Sequence, residues 1–345
     1  MVRAPSGHIF EQMEPQKAGT CENTVLPTIP GAQEAWRWSW RAEPPEHCRG
    51  AVVTVGNFDG VHRGHAALVR AARELAQRLQ TFVLALTFDP HPLALLRPAD
   101  FQPLLTTLED RVLLLRACGA ERVLVLQTDP ELLRLPARAF FDQVLLRRLA
   151  ARGMVEGPTF GFGYRREGNV ELLQRWCLET GIAFSVVPAL TVEGELVSSS
   201  RIRRLLQSGL VEQARSLLGR PYRLRGKVVA GQRRGHTLGA PTANLQGIAT
   251  LIPGDGVYAA AAYYRSDRLP AAVHIGPNPT FEETARKVEV HVLDFCGRLY
   301  DEELAVDFLA RLRDVRVFDC PEDLQKQIEA DIASSRRIYE AFVSG

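Results

Sequence analysis

The sequence lacks any apolar run approaching the ~18 to 20 residues that a helix needs to cross a bilayer, which excludes a helical membrane protein. It carries no surplus of either charge, with 42 Lys plus Arg against 40 Asp plus Glu and a net charge of +2. No global field therefore favours wrapping a polyanion, and nucleic acid is not an expected partner. The six cysteines (Cys21, Cys48, Cys118, Cys177, Cys296, Cys320) are scattered, with no C-x-x-C pair. That argues against structural zinc, a redox dithiol or a disulfide-stapled module, and for free thiols in a reducing compartment. The first residues have Pro5, Pro15, Pro27 and Pro30 among polar neighbours instead of the apolar core of a secretory signal, so a cytoplasmic location is expected. There is no internal repeat, no low-complexity tract and no Walker loop, and Gly161-Phe162-Gly163 lacks the third glycine of a dinucleotide fingerprint.

What is present is an ordinary globular composition, 46% hydrophobic and 24% charged over 345 residues, enough for two domains. Residues 1–48 show no sustained periodicity and read as an N-terminal extension, ordered or disordered. Trp36, Trp38 and Trp40 alternate with Arg37, Ser39 and Arg41 as on a short strand suited to a sheet edge. From Ala51 the pattern becomes apolar strand runs (51–55, 81–88, 122–126) separated by helical stretches (around 68–79, 108–117 and 137–149). This is the signature of a Rossmann-type α/β domain with a parallel sheet, whose ligands are expected at the carboxyl ends of its strands. After Gly219 strands follow one another with little helix between them (222–230, 257–264, 271–275, 288–295), predicting a small antiparallel β-barrel. A helix from Pro321 to about Phe342, with Leu324, Ile328 and Ile332 on one face, closes the chain. The expected division is 49–206, a linker at 207–219, and 220–345.

Two segments carry chemistry. Gly56-Asn57-Phe58-Asp59-Gly60-Val61-His62-Arg63-Gly64-His65 lies between a predicted strand and the helix after it. Its glycines admit a close ligand, and a helix amino terminus favours phosphate. His62 and His65, three apart, share a face and can donate to phosphate oxygens, chemistry suited to an α-phosphate under attack and a departing pyrophosphate. Capping without a ligand, or metal ligation by His62, His65 and Asp59, are the competing readings. In the second segment, Gly235-His236-Thr237-Leu238-Gly239-Ala240-Pro241-Thr242-Ala243-Asn244, Thr242 and Asn244 can present a hydroxyl and an amide oxygen to one Mg²⁺ between glycines that admit phosphate. In Val288-Glu289-Val290-His291-Val292 the valines take one strand face and Glu289 with His291 the other.

The first segment matches the G-x-F-D-G-x-H-x-G-H form of the nucleotidyltransferase motif of bacterial bifunctional riboflavin kinase/FAD synthetases. Thr87-Phe88-Asp89-Pro90-His91-Pro92 resembles that family's T-F-x-P-H-P, Leu105-Thr106-Thr107 its next motif, and Ser198-Ser199-Ser200-Arg201-Ile202-Arg203 its S-S-T-x-I-R signature with Ser200 for threonine. The second segment is similar to G-x-x-L-G-x-P-T-A-N of the riboflavin kinases, with His236 and Ala240 where arginine and phenylalanine are common. The resemblance implies phosphorylation of riboflavin to FMN with ATP by the carboxyl-terminal module, then adenylylation of FMN to FAD by the amino-terminal one. It implies His62 and His65 as catalytic, and Gly56, Phe58, Asp59, Gly64, Ser199, Arg201, Arg203, Gly239, Thr242 and Asn244 as nucleotide-binding. Thr242 and Asn244 are also implied as Mg²⁺ ligands, Glu289 as the kinase base, and Thr159, Phe160 and Phe162 as flavin-binding. Ser198 or Ser199 is expected to cap a helix. Thr159 stands where the family has an acidic or amide residue, so a kinase with a weakened or inactive adenylyltransferase is the alternative, and a flavin-binding regulatory module without turnover is a third reading.

Overall fold

A computed structural model describes residues 36–229, 242–277 and 285–344. The amino-terminal module contains β1 (Trp36–Trp38), β2 (Val52–Val55), α1 (Arg63–Arg78), β3 (Val83–Asp89), α2 (Pro92–Leu96), α3 (Leu108–Ala117) and β4 (Arg122–Gln127). These are followed by α4 (Ala137–Phe140), β5 (Gly153–Glu156), the short antiparallel pair β6 (Gly161–Phe162) and β7 (Gly168–Asn169), α5 (Val170–Thr180) and β8 (Ala183–Val186). Six strands form an all-parallel sheet in the order β1-β4-β3-β2-β5-β8. Successive side chains alternate between two apolar clusters. Val53, Val55, Leu84, Leu86, Leu124 and Leu126 enter one, and Val52, Val83, Ala85, Val123 and Val125 the other. Burial on both faces is why these strands read as continuous apolar runs.

The tryptophan triplet does add a strand at the sheet edge: β1 pairs in parallel with β4, and Trp38 is buried while Trp36 and Trp40 pack against the first cluster. Residues 36–48 are thus part of this module's body. The helix predicted over 137–149 is one turn of α-helix that widens into a π-helix, Phe141–Arg148, with Phe140, Phe141, Val144 and Leu145 all buried.

After a second short antiparallel pair, β9 (Thr191–Val192) and β10 (Glu195–Leu196), two helices, α6 (Ser199–Gln207) and α7 (Val211–Leu218), lead into the second module. There β11 (Tyr222–Val229), β12 (Ala243–Gln246), β13 (Gly256–Tyr264), β14 (Asp267–Gly276), β15 (Lys287–Val292) and β16 (Glu303–Arg313) close an antiparallel barrel in the order β11-β12-β15-β14-β13-β16. The helix α8 (Pro321–Ser344) lies on its outside, where Ile338, Tyr339 and Phe342 meet Ala261, Tyr263, Ala305 and Leu309. In β13 the run of four alanines serves two packings: Ala260 and Ala262 join the barrel interior, and Ala261 lies under α8.

The modules are joined by more than the chain. Leu105 of the first belongs to the same apolar cluster as the barrel interior and α7, and the Leu251 N–H donates to the Leu104 carbonyl at 2.8 Å. Arg225 of β11 makes a buried bidentate pair with Asp110 of α3, at 2.8 and 2.9 Å.

Candidate functional site

β2 lies between β3 and β5, and the chain runs outward from it to β3 and β4 on one side and to β5 and β8 on the other. This is the topological switch point of the sheet, where a parallel sheet opens a crevice beyond its carboxyl ends. The 56–65 segment leaves β2 there and the 157–163 segment leaves β5, so the two groups of predicted residues border one crevice. Between them Glu156, at the end of β5, accepts from the Val55 N–H at 2.8 Å across the strand pair. Burial holds its carboxyl well above the usual carboxylate range.

His62 is the N-cap of α1. Its Nδ1 accepts from the His65 N–H (3.4 Å), and His65 Nδ1 accepts in return from the His62 N–H (3.3 Å). The rings stack with centroids 3.6 Å apart, and Phe58 meets His65 edge-on at 5.2 Å. Burial, reinforced by the cation of Arg220, lowers His62 to about 3. Burial also holds His65 well below 6.5, with His62, Arg111 and Arg220 adding to the effect. Both rings are therefore neutral, and because each Nδ1 accepts, the proton of each sits on Nε2, leaving two N–H donors. The cap occupies each Nδ1, so Nε2 is the nitrogen of each ring left to meet a ligand.

The turn ahead of the pair is held from several sides. Asp59 is buried, its Oδ1 accepts from the Leu105 and Thr106 N–H groups, and it forms an ion pair with Arg203. Arg203 also donates to the Pro103 carbonyl, while Ser199 donates to the Asp59 carbonyl at 2.8 Å. Asp59, Ser199 and Arg203 thus lock three motifs together. Ser198, the other capping candidate, is the one that caps α6, accepting from the Arg201 N–H. Arg201 pairs with exposed Glu195, and its Nη1 is buried without a hydrogen-bond partner among the described residues. Gly60, at φ +82°, has no room for a side chain, since a Cβ would stand 2.8 Å from Leu105 Cδ1. Gly56 and Gly64 approach the Phe58 and His62 rings. His91 caps α2 through Nδ1 and stays neutral, lowered to about 4 by burial and by Arg111 and Arg203.

On the β5 side, Phe160 stacks on Phe162 at 5.3 Å and 17°, and Phe162 is backed edge-on by Trp176. Phe160 is the half-buried outer ring of this stack. Thr159 is exposed, and its carbonyl accepts from Arg166 at 3.1 Å. Gly163, at φ +74°, lies so close to Ala137 that a Cβ would be 2.4 Å from its Cα.

In the barrel the strand register makes a single cross-strand row: Asn244 of β12 opposes Glu289 of β15, which opposes His274 of β14. His274 Nδ1 is 3.9 Å from the Glu289 carboxylate, and both side chains are about one-fifth exposed. Burial lowers His274, with Glu289 acting in the opposite sense. A cleft of about 600 Å³ beside this row is lined by Val229, Asn244, Ile252, Arg286 and Lys287 among others. Thr242 stands exposed just ahead of β12. Gly239, His236 and Ala240 lie outside the described residues. Among the described residues no group of three or more His, Cys, Asp or Glu is arranged to hold a metal. Thr242 and Asn244 offer neutral hard oxygen donors, the kind that fits Mg²⁺ when substrate phosphates complete its shell.

Sequence reasoning missed Glu156, Arg111, Arg220 and His274. His274 had a readable signal, being the polar member of an alternating strand whose Ala271, Val273 and Ile275 face inward. The other three sit where no local pattern marks them.

Two family models match the chain: FAD synthetase over residues 44–201 and riboflavin kinase over 218–339. Curated relatives named bifunctional riboflavin kinase/FMN adenylyltransferase include that of Pseudomonas fluorescens, 36% identical over 85% of this chain and 94% of the relative. Those of Escherichia coli K12 (33%, 84% and 93%) and Bacillus subtilis (32%, 84% and 92%) are similar in extent. A solved structure from Streptococcus pneumoniae, named as a macrolide-efflux protein, superposes with a TM-score of 0.78 at 30% identity, covering 87% of this chain and 98% of that one. No described helix here is long and apolar enough to cross a membrane.

Proposed function

Because the chain belongs to the family of bifunctional riboflavin kinase/FMN adenylyltransferases, we propose that its two reactions are divided between the barrel row and the sheet crevice. Riboflavin is phosphorylated to FMN with ATP, and FMN is adenylylated with a second ATP to give FAD and pyrophosphate. We assign the kinase to 220–345 and the adenylyltransferase to 49–206, with 207–219 joining them.

In the kinase, Glu289 takes the proton of the ribityl 5′-hydroxyl as that oxygen attacks the γ-phosphate. Asn244 and Thr242 would hold Mg²⁺, which when bound would neutralise charge on the phosphates, and the family resemblance assigns Gly239 to the nucleotide. His274 stands on the far side of Glu289, too distant at 3.9 Å for a direct hydrogen bond. In the adenylyltransferase, Phe160 and Phe162 stack the isoalloxazine, with Thr159 at their edge. His62 and His65 donate from Nε2 to the phosphate oxygens that gain charge as the FMN phosphate attacks. Gly56, Phe58 and Gly64 shape the nucleotide's seat, Asp59, Ser199 and Arg203 fix it, and Arg201 offers a cation. The observation that carries this reading is the reciprocal histidine cap. It leaves two N–H donors on the segment that follows β2 at the switch point, while the aromatic stack lies on the segment that follows β5. We place these reactions in the cytoplasm, where ATP is supplied.

Purified protein supplied with riboflavin, ATP and Mg²⁺ is expected to yield FMN and then FAD on chromatography. FMN that accumulates without FAD at long times would instead favour a kinase whose adenylyltransferase is impaired at Thr159.

A further inference from the structure

Arg220 is a buried cation in an unusual setting. It lies between α7 and β11, at the root of the kinase barrel, yet its guanidinium reaches into the other module's nucleotidyl turn. Nη2 donates to the Gly60 carbonyl at 2.7 Å, and Nη1 to the Val61 carbonyl at 3.0 Å and the Leu218 carbonyl at 3.4 Å. Its side chain is 7% exposed, and among the described residues no carboxylate stands within ion-pair distance of it. Burying a charge against carbonyl oxygens is costly, and the carboxylates of Asp307 and Asp110 support the cation only from beyond ion-pair distance.

The two carbonyls it holds belong to a left-handed turn that is strained at Val61 and relaxed at Gly60. Val61 has φ +37°, a conformation that a β-branched residue rarely adopts, Phe58 has φ +47° and Gly60 φ +82°. His62 follows Val61 directly, so the angle at which the histidine pair meets the crevice depends on that turn. Asp59 is held by backbone and Arg203 from within the first module. The N–H groups of Gly60 and Val61 are also held within the first module, by Thr106 Oγ1 at 3.2 Å and the Phe58 carbonyl at 3.1 Å, whereas their carbonyls are held from the second module, by Arg220.

We propose that Arg220 is a positioning residue for adenylyl transfer, contributed by the root of the kinase barrel: it clamps the Gly60–Val61 turn so that the His62/His65 donors meet the attacked phosphate. This rests on the assignment of that pair to the adenylyltransferase. It makes the first active site complete only when the second module is docked.

The test is made in the full-length protein, with both activities measured on the same preparation and the kinase as internal control. Arg220→Met is expected to lower kcat for FAD formation from supplied FMN at least tenfold, with KM for ATP and FMN changed less than about threefold and FMN formation from riboflavin within about twofold of wild type. Arg220→Lys, which keeps the charge but not the two-pronged donor, is expected to fall between. Should Arg220→Met fail to fold, the ratio of the two activities in Arg220→Lys decides: a selective fall in FAD formation supports the role. FAD formation within twofold of wild type, a rise in KM alone, or a parallel fall of both activities would overturn it. Wild-type protein that makes no FAD would instead break the underlying assignment, a separate outcome.

Discussion

At the residue scale, function rests on protonation states that burial sets. His62 and His65 are neutral because each is desolvated beside Arg220, and the reciprocal cap fixes which nitrogen keeps its proton. His62→Ala removes one donor, and FAD formation from FMN is expected to fall between about 10²- and 10⁴-fold while the kinase is unaffected, checked by steady-state assay of each step. The lowered pKa also links folding to pH. Between about 3 and the unfolded value of about 6.5, the unfolded chain binds a proton at His62 that the folded chain excludes. The stabilisation is therefore present above pH 6.5 and is lost as pH falls toward 3. His62→Asn keeps a capping acceptor but cannot titrate. Its stability deficit relative to wild type, measured by denaturant unfolding, is expected to shrink as pH drops from 7 to 4, and a constant deficit would mean that His62 titrates normally in the fold.

At the element scale, the strands were readable where burial is simple and obscure where charge is satisfied inside. β2, β3 and β4 are apolar on both faces and announce themselves. β16 was not foreseen, because Asp307 in its middle breaks the apolar pattern; it is buried in a bidentate pair with Arg223, at 2.6 and 2.8 Å. β14 begins at Asp267, four residues before the predicted start, and carries Pro270 within it. The α8 face shows the same effect: Leu324, Ile328 and Ile332 are only half-buried, whereas Asp331 and Ser335 are fully inside, Asp331 meeting Arg313 from β16. The alanines of β13 were visible but their purpose was not. Ala261→Leu would place three extra carbons under α8, and overpacking of this kind costs ~1–3 kcal/mol. A lowered melting temperature together with reduced kinase activity is expected, and an unchanged melt would show that α8 is not tightly seated there.

At the scale of the whole molecule, motifs revealed the chemistry of each site but not the contacts between the modules, because Asp110, Arg220 and Arg225 belong to no local pattern. Residues distant in sequence meet only in the folded chain. The Asp110–Arg225 pair is buried on both sides, and removing one partner of such a pair costs ~3–5 kcal/mol. Asp110→Ala is expected to loosen the modules so that calorimetry resolves two transitions, while one unchanged transition would mean that the Leu105 packing, the Leu251–Leu104 bond and Arg220 hold the interface without it. Near-neutral net charge fits this design, since small anionic nucleotides need cations and N–H donors at two places and no field over the whole surface. The central claim is that one chain carries two separable sites, the Glu289 row and the His62/His65 pair. It is tested most directly by chromatographic quantification of riboflavin, FMN and FAD for Glu289→Gln and His62→Ala side by side. Glu289→Gln is expected to leave riboflavin unconverted yet turn supplied FMN into FAD, and His62→Ala to accumulate FMN from riboflavin without FAD. Loss of both products' formation in either variant, or of neither, would contradict the account.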